Sequence, residues 1–269
     1  TRSGLCFGKS NPDKLVEKVL AAIKNYGLNF EECLFHSFSI NTEFEIDASA
    51  LFGNQVNQYS ADGKNVINLI TLAEQEVWYG HHIISKGITR FPNGKIDIIV
   101  PENSPSKAFL KIAEVVELYG LKITAKDLWI DFGSAPGGAS QYLLSKGCKV
   151  WGVDPARMPK SITKNRNYTH ITSAVQDLSQ EKLPDQKITW IHVDLNLNPK
   201  QAIKEVLRLI KKFNFSLRGI IFTIQLVKLE YIEFLEEFED IFYDWGFTGI
   251  ISRQVPSHKQ EYVLIAKKV

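Results

Sequence analysis

The sequence predicts an α/β protein: a doubly wound, Rossmann-like parallel sheet over residues 101–269, preceded by a smaller α+β domain over residues 1–100. Three observations carry this reading. Residues 127–155 read as a strand, a glycine-rich turn, a helix and a second strand ending in an acid, the layout of a nucleoside-cofactor site in such a sheet. Strand-like and helix-like runs then alternate to about residue 226, as crossovers between parallel strands require. The segment Pro101-Glu102-Asn103-Ser104-Pro105 sets this region apart from a first hundred residues that mix one good helix with several strand-like runs.

Asn11-Pro12-Asp13 leads into the first helix, where Leu15, Val19, Leu20 and Ile23 recur at helical spacing and Gly27 ends the pattern. Strands are expected at 32–40, 43–51, 65–72, 77–84 and 96–100, with Asp62-Gly63 and Asn93-Gly94 as hairpin-type turns. At the boundary, Ser104 suits a helix cap and Pro105 the first helical position. In that helix Ala108, Ile112, Val115 and Tyr119 form one face, and Lys107, Lys111 and Glu114 cluster on another. Trp129 to Asp131 then close an apolar run, and Gly133, Gly137 and Gly138 permit a tight turn with close backbone approach. Tyr142, Leu143 and Leu144 are available for packing, Gly147 stops the helix, and Lys149 to Val153 run apolar into Asp154. A long helix with Ile232, Leu235, Phe238 and Phe242 ends near Gly246, and residues 247–253 and 261–268 read as strands joined by Pro256-Ser257-His258.

Composition bounds the function without naming it. The formal net charge of +2 over 269 residues is too small to argue for nucleic acid by itself. Cys6, Cys33 and Cys148 match neither a disulfide framework nor a zinc site, and are expected to be reduced thiols of a cytoplasmic protein. No apolar run reaches 18 residues, so no membrane span is expected, and Thr1 to Gly4 have no signal-peptide character. His81 and His82 are adjacent in a strand and face opposite ways, which disfavours a shared metal. No metal site is expected elsewhere.

The spacing in the glycine turn narrows the cofactor. A dinucleotide fingerprint wants G-x-G-x-x-G, with backbone amides facing a pyrophosphate. Here Gly133 is followed by Ser134, Ala135 and Pro136, then Gly137 and Gly138. Pro136 removes an amide donor where a pyrophosphate would need one. Such a loop suits a zwitterionic amino acid carrying a sulfonium, with Asp154 accepting both hydroxyls of an adenosine ribose. Asp131, just before the turn, could orient the loop or meet the cofactor's amino group. A plain strand-to-helix turn and a dinucleotide site are the alternatives.

The string DFGSAPGG at 131–138, followed by VDP at 153–155, resembles the S-adenosylmethionine loop of FtsJ-type RNA ribose 2′-O-methyltransferases. The likeness is greatest to the bacterial, RlmM-like branch that methylates large-subunit ribosomal RNA. SPSKAFLKIAE at 104–114, WIHVDLNLNP at 190–199 and QEYVLIAKK at 260–268 extend it, with VWYG at 77–80 and RFPNG at 90–94 further upstream. The resemblance implies an antiparallel last strand, S-adenosylmethionine as cofactor and structured ribosomal RNA as partner. It also implies an adenine contact for Asp177 in SAVQDLS, and a catalytic set of lysine, aspartate, lysine and glutamate. Lys111, Asp194 and Glu261 match three of these. Apart from the resemblance, they could be a solvated helix lysine, a strand-end aspartate and an edge carboxylate.

The fourth position departs from the pattern. Alignment on Phe222-Thr223-Ile224 puts Gln225 where the family has its second lysine. Glutamine cannot act as a base near neutral pH. Lys228 could replace the lysine only if the chain turns after Leu226; otherwise it is a surface residue beside Glu230. For RNA, the basic groups on offer are Arg157, Lys160, Lys164, Arg166 and His170, then Lys204, Arg208, Lys211, Lys212 and Arg218. Lys86, Arg90 and Lys95 add to them from the first domain, and Tyr168 is a candidate for base stacking. The expected activity is therefore RNA ribose 2′-O-methylation. The rivals are a cofactor- and RNA-binding relative that lost turnover at Gln225, and a methyltransferase for another acceptor.

Overall fold

The computed structural model describes residues 5–58, 63–84, 90–94, 96, 98–226, 228–258 and 260–268, in two units, Thr1–Asp97 and Ile98–Val269. The first unit runs β1 (Leu5–Ser10), α1 (Leu15–Asn25), β2 (Cys33–Ser39), α2 (Ala48–Phe52), β3 (Asn65–Ala73) and β4 (Glu76–Ile83). Its sheet has the order β1-β4-β3-β2, with β2 and β3 parallel and the other pairs antiparallel. Leu15, Val19 and Ile23, four residues apart on α1, pack against Phe35, Ile67, Leu69 and Val77 of the sheet. Leu20 falls off that stripe and is exposed.

Three expectations for this unit change. Residues 43–51 do not form a strand: Asp47 accepts the Ala50 N–H at 3.0 Å and caps the short helix α2 instead. Residues 98–100 form no strand, and 95 and 97 lie outside the described residues. Strand β1 escaped the sequence reading. Asp62 of the expected Asp62-Gly63 turn also lies outside the described residues, and Asn93-Gly94 sit in a 3-10 turn, Pro92–Gly94.

The second unit runs α3 (Ala108–Leu118), β5 (Leu128–Phe132), α4 (Gly138–Ser145), β6 (Lys149–Val153), α5 (Lys160–Thr163), β7 (Tyr168–Ile171), β8 (Trp190–Val193), α6 (Pro199–Ile210), β9 (Gly219–Gln225), α7 (Leu235–Asp244), β10 (Gly249–Arg253) and β11 (Glu261–Lys267). The seven strands lie in the order β10-β11-β9-β8-β5-β6-β7, and β11 is antiparallel to both neighbours while the β9-β8-β5-β6-β7 block is parallel. This is the expected Rossmann-like sheet, with its last strand antiparallel. All of β5 is buried, as a parallel strand covered on both faces should be. Ile130 and Phe132 pack with residues of α6 and α7, and Trp129 with residues of α3 and α4.

Two boundaries shift. Helix α3 starts at Ala108, whose N–H donates to Ser106 Oγ at 3.3 Å, while the Ser104 hydroxyl donates to the Ser106 carbonyl at 3.2 Å. Ile232 is exposed and belongs to a 3-10 turn ahead of α7.

Candidate active site

The glycine loop lies where β5, β6 and β8 end, at the carboxyl edge of the parallel sheet. The Gly133 N–H donates to the Val153 carbonyl at 2.9 Å, so the chain crosses from β5 over the end of β6. Gly133 has φ +82°, and a Cβ there would stand 2.1 Å from the Asp194 carbonyl oxygen. Only glycine lets loop and strand end approach so closely. Gly138 opens α4, and a Cβ there would meet Ser106 Oγ at 2.3 Å. The Ala135–Pro136 peptide is cis. Asp154, partly exposed, accepts the Ala135 N–H at 3.1 Å and the Ala156 N–H at 2.8 Å. Ser134 is buried, with its Oγ 3.4 Å from the Tyr168 hydroxyl.

Asp131 is fully buried. One oxygen lies 2.7 Å from His192 Nδ1 on β8, and the other accepts from Ser140 Oγ on α4 at 2.6 Å. Of the two roles the sequence left open, this geometry matches the orienting one. Asp177 is exposed in a 3-10 turn beyond the edge strand β7.

Four elements bring a second cluster together. Lys111 comes from the first turn of α3, Asp194 from the end of β8, Gln225 from the end of β9 and Glu261 from the start of β11. Gln225 and Glu261 face each other in register across the antiparallel pair. Lys111 Nζ donates to Glu261 Oε1 at 2.6 Å and lies 3.5 Å from Asp194 Oδ2. The Gln225 amide donates to Asp194 Oδ1 and to Glu261 Oε1, each at 3.1 Å. The side chains of Lys111, Asp194 and Glu261 are 19%, 17% and 13% exposed, so these charges interact in a largely water-excluded place. The chain does turn after Leu226, with the Lys228 carbonyl accepting from the Tyr231 N–H at 3.1 Å. Lys228 itself is exposed, and the place between the two carboxylates is held by Gln225.

Residues 105–233 match the sequence model of the FtsJ-like methyltransferases. This part of the chain belongs to the FtsJ-like methyltransferase family. An uncharacterized protein of Methanocaldococcus jannaschii is 27% identical over 129 residues, covering 48% of this chain and 35% of that one. The ribosomal RNA large subunit methyltransferase M of Psychromonas ingrahamii is 28% identical over 114 residues, 39% of this chain and 29% of that enzyme. The chain thus spans about a third of the length of these relatives. Among solved structures, a Lactococcus lactis protein titled "putative hemolysin" superposes with a TM-score of 0.50 at 13% identity, over 63% of this chain and 90% of that one. That likeness is one of fold.

Several residues around this cluster carry no local signal in the sequence. Glu114, one turn after Lys111, is buried and accepts the Ser257 N–H at 2.8 Å, tying the β10–β11 turn to α3. The Lys111–Glu114 spacing was visible; its burial was not. His258 in that turn is 3% exposed. Burial first, and the positive charge of Lys111 after it, push its imidazole down to about 4. The unfolded chain therefore takes up this proton near pH 6.5 and the folded chain only near pH 4. Between those values acid favours unfolding, by about 3 kcal/mol in total at the lower end, and above pH 6.5 the contribution is constant. Denaturant unfolding of the wild type and of His258→Gln from pH 7 to pH 4.5 should show a shallower acid loss in the variant. Equal slopes would contradict this account.

Other expectations are corrected by burial and partners. Tyr168 is buried and cannot stack on a base: its hydroxyl faces Ser134, and burial pushes that hydroxyl up to about 12. Gly152 makes room for it, since a Cβ there would lie 2.0 Å from the hydroxyl oxygen. Arg157, Lys160, Lys164 and Arg166 are exposed, and a ring nitrogen of His170 lies 3.1 Å from the Asp154 carbonyl. The second basic stretch is largely committed to the fold. Arg208 donates to the Val175 and Leu178 carbonyls, Lys212 to the Leu183 carbonyl, and Arg218 to Asp127 at the amino edge of the sheet, away from the site. Lys86 and Lys95 lie outside the described residues. His81 and His82 each meet an asparagine, Asn65 at 3.0 Å and Asn68 at 2.6 Å. Among the described residues there is no group of His, Cys, Asp and Glu that could hold a metal, and no helix long and apolar enough to cross a membrane.

Proposed function

We propose that this chain transfers the methyl group of S-adenosylmethionine to a ribose 2′-hydroxyl of structured RNA, ribosomal RNA in particular, in the cytoplasm. The observation that carries the reading is the convergence of Lys111, Asp194 and Glu261 one strand end away from the glycine loop, with the Asp194 carbonyl against Gly133. The loop suits the cofactor. Asp154 is a partly exposed carboxylate whose two oxygens already accept from Ala135 and Ala156, which fixes its orientation toward further donors such as ribose hydroxyls. Residues Gly133, Ser134, Ala135, Pro136, Gly137 and Gly138 would line the amino-acid end, Asp131 would hold their scaffold, and Asp177 would approach the adenine. When bound, the sulfonium supplies the methyl group and the leaving group. Lys111, Asp194 and Glu261 would position the acceptor hydroxyl and handle its proton. The exposed Arg157 and Lys160 would contact RNA phosphates, and residues 1–100 would help select the RNA.

The chain's similarity to a ribosomal RNA methyltransferase over part of its length favours this substrate. Gln225 favours one rival, a relative that binds cofactor and RNA without turnover. Incubation with methyl-labelled cofactor and transcribed ribosomal RNA, followed by mapping of 2′-O-methyl groups, separates the two. Label on a ribose, absent with Asp194→Ala, is the expected result. Cofactor bound tightly with no transfer to any RNA would leave the rival standing.

A further inference from the structure

We infer that Asp194, not a lysine, removes the proton from the acceptor hydroxyl in this chain, with Gln225 holding it in place. The inference rests on the ribose-methylation reading above. Among the described residues the cluster contains one ammonium, two carboxylates and one neutral amide, so its charges sum to +1 − 2 + 0 = −1. Lys111 is ion-paired with both carboxylates and acts there as a donor. Gln225 can donate to the carboxylates but cannot take a proton. Two carboxylates against one cation leave a proton acceptor to spare.

Geometry chooses between them. Glu261 Oε1 is taken by Lys111 at 2.6 Å and Gln225 at 3.1 Å, and its Oε2 is sealed from solvent with no hydrogen-bond partner. Asp194 is looser. Its Oδ2 lies 3.5 Å from Lys111, its Oδ1 accepts one bond from Gln225, and its backbone carbonyl rests against the cofactor loop at Gly133. It is thus the carboxylate that spans the distance between loop and cluster. The groups that face it are Lys111 from α3, Gln225 from β9, Glu261 from β11, and His258 in the β10–β11 turn, with His192 and its partner Asp131 behind. His258 is neutral above about pH 5, since its imidazole is held down to about 4. The step balances without a further reagent. The O–H bond breaks toward Asp194 as the oxygen forms its bond to the methyl carbon, and the carbon–sulfur electron pair leaves with sulfur. The sulfonium charge cancels that of the carboxylate, and Asp194 later releases its proton to water.

The test is single-turnover transfer to RNA at saturating cofactor from pH 6.5 to pH 9, on wild type, Gln225→Lys and Gln225→Met, with cofactor binding measured on each. With Asp194 as the base, the wild-type rate should change by less than about threefold over this range. Gln225→Lys places a second ammonium against Asp194 and should slow transfer by about tenfold or more. Gln225→Met keeps the length, removes the donor, and should slow transfer severalfold with the pH profile still flat. A faster Gln225→Lys, or a wild-type rate climbing about tenfold per pH unit, would make a lysine the base and overturn the inference while leaving the proposed reaction intact. Cofactor binding without transfer to RNA by any of the three would instead overturn the proposed reaction itself, and the inference with it.

Discussion

Lys111→Ala is expected to lower methyl transfer by about 10²–10³-fold, the usual cost of deleting one preorganised charged donor, while cofactor affinity stays within about twofold. Lys111 is carried by α3, outside the glycine loop. Ile112, Ala113 and Val116 bury the opposite side of the helix, and Ser106 and Phe109 approach Gly138 too closely for any side chain there. The ammonium is the cation shared by Asp194 and Glu261. Its loss leaves two carboxylates facing one another across the Gln225 amide, in a site where their repulsion is poorly screened. The acceptor hydroxyl then loses a donor, and the proton acceptor loses its fixed position. Separate measurement of the single-turnover rate and of cofactor dissociation distinguishes this from a general loss of fold, and Lys111→Arg should recover part of the rate. Transfer by Lys111→Ala within threefold of wild type would remove Lys111 from the chemistry.

Much of this site could be read from the residues because its parts sit at strand ends. Gly133, Asp154 and Asp194 each follow a continuous apolar run, and a parallel sheet puts such positions at one edge, where the antiparallel last strand begins with Glu261. Long-range pairing could not be read in this way. Nothing local in the sequence says that Glu114 meets the Ser257 amide, 143 residues away, or that His192 meets Asp131, 61 residues away. Tyr168 and the Arg208–Arg218 stretch looked available for RNA because an isolated aromatic or basic residue carries no mark of burial. Tertiary packing gave the tyrosine a buried place under Ser134 and gave the arginines backbone carbonyls and Asp127. In the first unit, residues 43–51 carry strand-like alternation, yet Asp47 caps a helix there; a single capping bond decided against a weak period-two pattern.

Asp131→Ala is expected to be the most destabilising single change in the second unit, costing about 3–5 kcal/mol. The carboxylate is fully buried and links three elements: its own strand β5, His192 on β8 and Ser140 on α4. Alanine removes an acceptor from two donors that have no water to turn to, since Ser140 is fully buried and His192 is 3% exposed. For a unit of this size such a loss should lower the melting temperature by about 10 °C. Asp131→Asn keeps the shape and one acceptor, and should cost less. A double-mutant cycle with Ser140→Ala isolates the α4 contact, whose coupling should exceed about 1 kcal/mol because the two groups touch and share no solvent. The effect should also reach the cofactor. Ser140 lies in the first turn of α4, two residues after Gly138, so releasing it loosens the helix start that the glycine loop feeds, and cofactor affinity should fall together with stability. Asp131→Ala melting within about 1 kcal/mol of wild type would mean that the buried carboxylate is not what fixes this corner of the sheet, and the orientation of the loop would then have to come from the Gly133–Val153 and Ala135–Asp154 bonds and the packing of Gly138 on Ser106.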